Sequence, residues 1–374
     1  MCVGNCLSLH AKRGFRTFGL RAEGDCHRPE SQRNRKRLNT ITADYTIALA
    51  ERIVHIGWPK TGNSALQRYF YPRLEDVSYA DYDTCNELFR PVQLLDPLDF
   101  DPKPTLAYLE RLSQPGKPLL CSFESLAGTA QLNGLNKSEI ARRLKELGFQ
   151  KIILTIRKQQ QCVDSMYRQY VQEGGVMNPK DYFSNYIVRN TLKPNIFQFH
   201  LAYFEYERLI RYYEQLFGRE NLLLLTFEEL RFNRPATLRR LLAFLGSGAA
   251  PEPLAQAMST TSNTSLSNSA IGFLRFSNRF TYNPYKPSQM LSHRITTWKV
   301  RRFSQKVLDP YFFRLFSRKK SYLKKYDLED RVADFYREGN KALFERYGLP
   351  APLLHYYNTP AARLPLDELG WPEQ

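Results

Sequence analysis

The stretch Arg52-Ile-Val-His-Ile-Gly-Trp-Pro-Lys-Thr-Gly-Asn-Ser-Ala-Leu-Gln67 passes from a β-branched run into a glycine-containing loop and then into a helix-forming segment. A strand, a tight loop and a helix in that order set the N-terminus of the helix at the end of the strand. The unbonded N–H groups and the positive end of the helix dipole then favour an anion such as phosphate. Gly57 and Gly62 keep the spacing of the G-x-x-x-x-G-K-[ST] loop that cradles nucleoside triphosphates, and Ser64 keeps its hydroxyl. Asn63 stands where that loop has its lysine, and the lysine has moved forward to Lys60. The spacing therefore predicts a phosphate loop poorly equipped for a triphosphate with magnesium. Taken alone the glycine pattern is weak, because a plain strand-to-helix turn produces it too.

Beyond Gln67 the chain repeats the strand-then-helix order. Strands are expected at 52–56, 118–123, 151–156 and 221–227, with helices at 63–70, 138–147 (Ser138 as cap), 161–172, 179–189, 201–217 and 235–245. The stretch between the first two strands, with Pro91, Pro97, Pro102 and Pro104, reads as loop-rich. Such alternation predicts an α/β fold: a parallel sheet like that of P-loop nucleotide-binding proteins, helices on both faces, and ligand at the C-terminal strand ends. From about 263 onward the pattern is helical, ending in a helix over 329–347 with Gly348 behind it, which reads as a cap over about 269–348. Residues 1–48 are polar and basic and read as a disordered tail, 49–350 as one domain, and 351–374 as a C-terminal tail.

Three strand ends carry polar residues that this fold would bring together. Besides Lys60 and Ser64, Arg157 closes one strand and Ser165 lies eight positions on, in the following helix. An arginine there can fork onto a phosphate and the serine can donate a hydroxyl bond, although a strand-end arginine also makes ordinary surface ion pairs. Glu124 ends the run Leu119-Leu-Cys-Ser-Phe-Glu124 and is a candidate general base, with a turn cap or an ion pair as the structural alternative. His55 lies inside the first strand and reads as a packed core histidine, and Asp164 and Glu228 read as structural.

The run Pro59-Lys-Thr-Gly-Asn-Ser64 resembles the 5′-phosphosulfate loop of sulfotransferases that use 3′-phosphoadenosine 5′-phosphosulfate (PAPS), which usually reads P-K-[TS]-G-[TS]-[TS]. The segment from Arg157 to Ser165 is similar to the 3′-phosphate motif of the same family, with Lys158-Gln159 in place of its frequent Asp-Pro. Leu222–Leu230, Asn263-Thr-Ser-Leu-Ser267 and Asp334–Leu343 are similar to further family segments, so the resemblance spans about 52–348. It implies a sulfuryl transferase of the bacterial or carbohydrate-modifying type. Lys60 and Glu124 would be its catalytic residues, and Lys60, Thr61, Gly62, Asn63, Ser64, Arg157 and Ser165 would bind the donor, with no metal. The family's R-K-G-x-x-G loop is missing, and a basic cap residue, Lys286 or Arg279, is expected in its place. A P-loop kinase and a catalytically silent module that binds desulfated donor (PAP) or polyanions stay open as alternatives.

At 374 residues with 43% hydrophobic content the chain can build a substantial core. No run of roughly 18 apolar residues indicates a membrane span, and no signal-peptide pattern is present, so a cytoplasmic protein is expected. The six cysteines show no metal-ligand spacing and are expected as free thiols. The net charge of +17 points to anionic partners. Between 286 and 325 twelve lysines and arginines (286, 294, 299, 301, 302, 306, 314, 318, 319, 320, 324, 325) face one acid, Asp309, and aromatic residues are interleaved with them. This segment reads either as a basic amphipathic element for an anionic membrane surface or polymer, or as a solvated helix face. No specific nucleic acid is implied. The resemblance implies a hydroxyl-bearing acceptor, expected on a glycan or a lipid-linked molecule.

Overall fold

A computed structural model describes residues 50–371 apart from 129–133, 135, 184–199, 260–264, 283–294, 318–319 and 361. The expectation for 1–48 lies outside the described residues. Five strands form one sheet among them: β1 (Arg52–His55), β2 (Ser78–Ala80), β3 (Leu119–Ser122), β4 (Lys151–Ile156) and β5 (Leu222–Thr226). The order is β2-β3-β1-β4-β5 and every pairing is parallel, with His55 opposite Ser122 on one side and Ile153 on the other. Runs such as Leu119-Leu-Cys-Ser122 are buried throughout, as a strand covered on both faces requires. Alternate residues feed two cores. Val54, Cys121, Ile152 and Leu154 face one, and Ile53, Leu120, Ile153 and Leu225 face the other.

Around the sheet the helices run in chain order. A short α1 (Asn63–Ala65) continues through a π turn, Leu66–Phe70, into a 3-10 turn, Tyr71–Arg73. Next come α2 (Tyr82–Leu94), α3 (Pro102–Leu112), α4 (Lys137–Glu146), α5 (Gln159–Gln172), α6 (Pro179–Phe183) and α7 (Tyr206–Phe217). After β5 come α8 (Phe227–Phe232), α9 (Arg234–Leu245), α10 (Pro251–Ser259) and α11 (Asn268–Ser277). The C-terminal third holds α12 (Thr297–Phe303), a π-helical run Ser304–Phe313, α13 (Arg314–Phe316), α14 (Tyr322–Lys325), α15 (Glu329–Tyr347), α16 (Ala351–Asn358) and α17 (Leu366–Leu369).

Three expectations are corrected. The proline-rich stretch between β1 and β3 is not loop: it contains β2, α2 and α3. Pro102 and Pro104 fall in the first turn of α3, where no intrahelical N–H is needed, behind Asp101, which accepts from Lys103 N. Pro91 sits near the end of α2, whose last carbonyls are bonded by Arg143, at 2.9 Å for both Val92 and Leu95. Ser138 lies inside α4 and is not its cap; Asn136 holds that position.

The third correction concerns 351–371, which is no tail. Leu353, Tyr356 and Tyr357 of α16 are buried, and Trp371 joins the main core. The expected helix over 179–189 is seen as Pro179–Phe183, its remainder lying outside the described residues. The expected final helix, 329–347 with Gly348 behind it, is observed with those bounds, and Gly348 takes the left-handed conformation, φ 62°.

Candidate functional site

The chain leaves β1 towards β3 and leaves β4 towards β5, so the crevice between the C-terminal ends of β1 and β4 is the point where the connections diverge. Parallel α/β sheets bind ligands at such a point. Three adjacent strands deliver the candidate residues there: the 57–64 loop after β1, Glu124 after β3 and Arg157 after β4.

The loop is braced from within by Asn63. Its side chain is buried and its amide donates to the carbonyls of Trp58 (2.8 Å) and Gly57 (3.2 Å), and at 3.4 Å to Glu124 Oε2. Its Oδ1 accepts from Thr155 Oγ1 (2.5 Å) and lies 3.1 Å from Thr61 Oγ1. Thr61 is likewise buried and donates to Trp58 O at 2.5 Å. The side chains of Thr61 and Asn63, both expected to bind donor, are thus spent inside the loop. What they can offer a ligand is backbone N–H. A lysine at position 63, as in triphosphate loops, would lose these inward bonds, which explains why asparagine stands there.

Lys60 and Gly62 both adopt positive φ, 69° and 94°. For Gly62 this is free, whereas for a lysine the left-handed region is strained by about 1 kcal/mol. Arg157 offsets the strain: its Nη1 donates to the Lys60 carbonyl at 2.9 Å, its Nε and Nη2 grip Gln161 Oε1, and its guanidinium stacks over Phe227, 4.1 Å from the ring centre. The Lys60 side chain retains exposed surface while its ammonium is crowded by protein, and this desolvation lowers its pKa. The charge of Glu124 opposes the shift, and that of Arg301, on α12, adds to it. The Glu124 and Lys60 charges therefore act on each other at the mouth of the crevice.

Ser64 is half-buried, and its hydroxyl makes no hydrogen bond among the described residues. Ser165, on α5, has a fully buried Oγ with no partner among them. A buried hydroxyl left unbonded costs stability.

Sequence reasoning missed the parts that hold this arrangement. Thr155 on β4 bonds Asn63 and His55 at once. Lys158-Gln-Gln-Gln161 fastens the crevice to the C-terminal segment. Lys158 Nζ donates to the carbonyls of Thr359 (2.8 Å) and Pro360 (3.3 Å), Gln159 to Asn340, Gln160 to the Tyr357 carbonyl and Gln161 to the Tyr356 hydroxyl. Desolvation brings the pKa of Lys158 down to about 8. The departure from the family's Asp-Pro thus serves packing. Of the cap residues expected to stand in for the missing loop, Lys286 lies outside the described residues, and no contact among the described residues ties Arg279 to the crevice; the cap cation whose charge reaches Lys60 is Arg301.

Asp164 pairs with Arg168 (3.2 Å) and accepts from Tyr322 N (2.5 Å), tying the cap to α5. Buried Glu228 accepts from the Tyr357 hydroxyl (2.8 Å). A cavity of about 300 Å³ is lined by Gln159, Glu205, Tyr206, Arg208, Tyr336 and Asn340, among which is none of the candidate residues. Among the described residues no cluster of His, Cys, Asp or Glu is arranged for a metal ion, and no helix is long and apolar enough to cross a membrane. Cys85, Cys121 and Cys162 are buried free thiols; the other three cysteines lie outside the described residues.

Three of the solved structures this chain is similar to are sulfotransferases. One, from Alicyclobacillus acidocaldarius, has TM-score 0.39 at 19% identity over 54% of this chain and 83% of the other. The mouse sulfotransferase SULT7A1, solved with PAP, has TM-score 0.39 at 16% identity over 79% of this chain and 89% of its own. The sulfotransferase domain of the curacin biosynthetic pathway has TM-score 0.32 at 15% identity over 69% and 97%. No protein-family model matches the chain, and no curated protein does either.

His55, beside the loop, is buried and bonds Ser122 Oγ and Thr155 Oγ1, each at 2.9 Å, and desolvation lowers its pKa to about 3. The unfolded chain binds this proton below about pH 6.5, while the folded chain does not until about 3. Stability should therefore fall as pH drops through that window, with His55 contributing up to about 1.4 kcal/mol per pH unit. Urea unfolding of wild type and His55→Asn between these limits checks this: the gap between them should close as the solution is acidified.

Proposed function

We propose that this chain is a sulfotransferase that moves a sulfuryl group from PAPS to a hydroxyl of a carbohydrate or glycolipid. The observation that carries the reading is the meeting of Lys60, Glu124 and Arg157 at the ends of three adjacent parallel strands, joined by Arg157 Nη1 to Lys60 O and by Asn63 Nδ2 to Glu124 Oε2. The donor would supply an activated sulfuryl group on a phosphate leaving group. Transfer of this kind asks the protein mainly for positioning, charge stabilisation and a base near the acceptor.

The loop N–H groups and Ser64 would hold the 5′-phosphate, and Arg157 and Ser165 the 3′-phosphate. Lys60 would neutralise charge developing on the leaving phosphate oxygen. Glu124, a carboxylate within hydrogen-bonding reach of the loop, would take the proton of the acceptor hydroxyl as its oxygen bonds to sulfur. Glutamate as base and the missing small-molecule loop support a glycan or glycolipid acceptor.

The testing experiment is turnover of PAPS over a library of hydroxyl acceptors, read by mass spectrometry for added sulfate. Magnesium-dependent phosphorylation from ATP, or tight PAP binding with no turnover on any acceptor, would overturn the reading. Ser165→Ala offers a sharper check. The variant should melt no lower than wild type, since it removes an unbonded buried hydroxyl, while PAP affinity measured by calorimetry falls about ten-fold. Unchanged affinity would remove Ser165 from the donor site.

A further inference from the structure

Helix α12, the π-helical run Ser304–Phe313 and α13 form one continuous helical segment over residues 297–316. Its inner side is anchored. Thr297, Ser304 and Asp309 are buried, Thr297 Oγ1 bonds Thr281 Oγ1 at 2.9 Å, and Asp309 accepts from Ser267 N and Arg314 Nε at 3.2 and 3.1 Å.

Its outer side has a different chemistry. Phe303, Val307, Tyr311 and Leu315 recur every fourth residue, and the wide turn of a π-helix, a little over four residues, keeps that spacing near one line. All four are exposed, Tyr311 and Leu315 at 77% and 75%, and Trp298 is exposed in the same helix ahead of Phe303. One residue earlier in each turn lie Arg302, Lys306 and, past Pro310, Arg314, all exposed, with Lys299 beside Trp298. Asp309, the one acid between 286 and 325, is buried and paired, so the segment shows no exposed carboxylate among its described residues.

We propose that this ridge docks the protein on an anionic lipid bilayer. The apolar line would enter the headgroup boundary while the flanking lysines and arginines lay their stems along it and meet lipid phosphates. Trp298 before such a line and Tyr311 within it suit a layer that is apolar on one side and wet on the other. A free polyanion would satisfy the cations but leave the apolar line in water. A second copy in a two-fold contact would set this basic ridge against itself. The inward side of α12 carries Arg301, whose charge is felt at Lys60, so ridge and crevice share one helix. The inference concerns the surface alone and does not depend on sulfuryl transfer.

The test is co-sedimentation of the full chain with vesicles of phosphatidylcholine alone and of phosphatidylcholine mixed with phosphatidylglycerol. Wild type should bind the mixed vesicles and release as salt is raised. Arg302→Glu with Lys306→Glu should weaken binding about a hundred-fold or more, and Tyr311→Ser with Leu315→Ser about ten-fold or more. Both pairs lie on the surface, and their melting temperatures should match wild type. Equal binding to the two vesicle types overturns the proposal. So does loss in the charge-reversed pair alone, with heparin competing, which is the behaviour of a polyanion site. A concentration-dependent dimer dispersed by the Tyr311 and Leu315 pair, with no vesicle binding, assigns the ridge to a second copy and also overturns it.

Discussion

Lys60→Gly should fold as well as wild type and transfer almost no sulfate. Lys60 adopts φ 69°, a conformation glycine takes without strain. Relief of about 1 kcal/mol is roughly offset by the greater freedom glycine gives the unfolded chain. The melting temperature should therefore move by no more than about 4 °C. The Arg157 bond to the carbonyl of residue 60 survives, because it uses backbone. Turnover of labelled PAPS should fall about 10²–10³-fold, the usual loss when one preorganised charge stabiliser is removed. Unchanged turnover would mean that Lys60 only shapes the loop.

The lowered pKa of Lys60 adds a pH signature. If Lys60 holds the donor phosphate as proposed, its protonated form does so, and PAP binding should weaken as pH rises, beginning below the ordinary lysine range. Glu124 pushes that pKa upward, so in Glu124→Gln the weakening should begin at lower pH still. Reading this by PAP binding keeps it separate from Glu124's proposed role as base.

Gly57→Ala should destroy the site by overpacking. A Cβ at 57 would overlap Thr155 Oγ1 and Asn63 Oδ1 and lie 2.9 Å from His55 Nε2, three atoms of one buried hydrogen-bond network. Overpacking of this kind costs about 1–3 kcal/mol, and any network atom driven off its partner adds a similar amount. We expect a clear drop in the urea midpoint and loss of PAP binding. Thr155→Ala removes the worst overlap, so the double variant should be more stable than the sum of the two single losses. Strict additivity would show that the loop yields in some other way.

Several features were legible because they depend on neighbours in sequence. Burial on both faces requires unbroken apolar runs, so four of the five strands could be read from residues such as Lys151-Ile-Ile-Leu-Thr-Ile156. The fifth, Ser78–Ala80, is a three-residue edge strand and too short to carry a pattern. Prolines near 91 and 102 suggested loop, yet they sit at helix positions that tolerate a missing N–H or have their carbonyls bonded by a distant arginine. The role of Asn63 was hidden for a related reason. Its position in the loop suggested a ligand contact, whereas its partner Thr155 lies 92 residues away.

The C-terminal segment shows the same division. Short helices and prolines over 351–371 read as a tail, but Lys158-Gln-Gln-Gln161 bond to 356–360 and to Asn340 across some two hundred residues. By itself the sequence determined four of the five strands and the helices that follow three of them, the glycine positions of the loop and the lysine displaced to 60. These come from periodicity and backbone freedom, which are local properties. Only the tertiary structure decided that Thr61 and Asn63 face inward, that Arg157 grips the Lys60 carbonyl, that Ser165 is left with an unbonded hydroxyl and that Arg301 acts on Lys60. Side-chain direction and desolvation are set by what packs against a residue, and in this fold those neighbours come from strands and helices far along the chain.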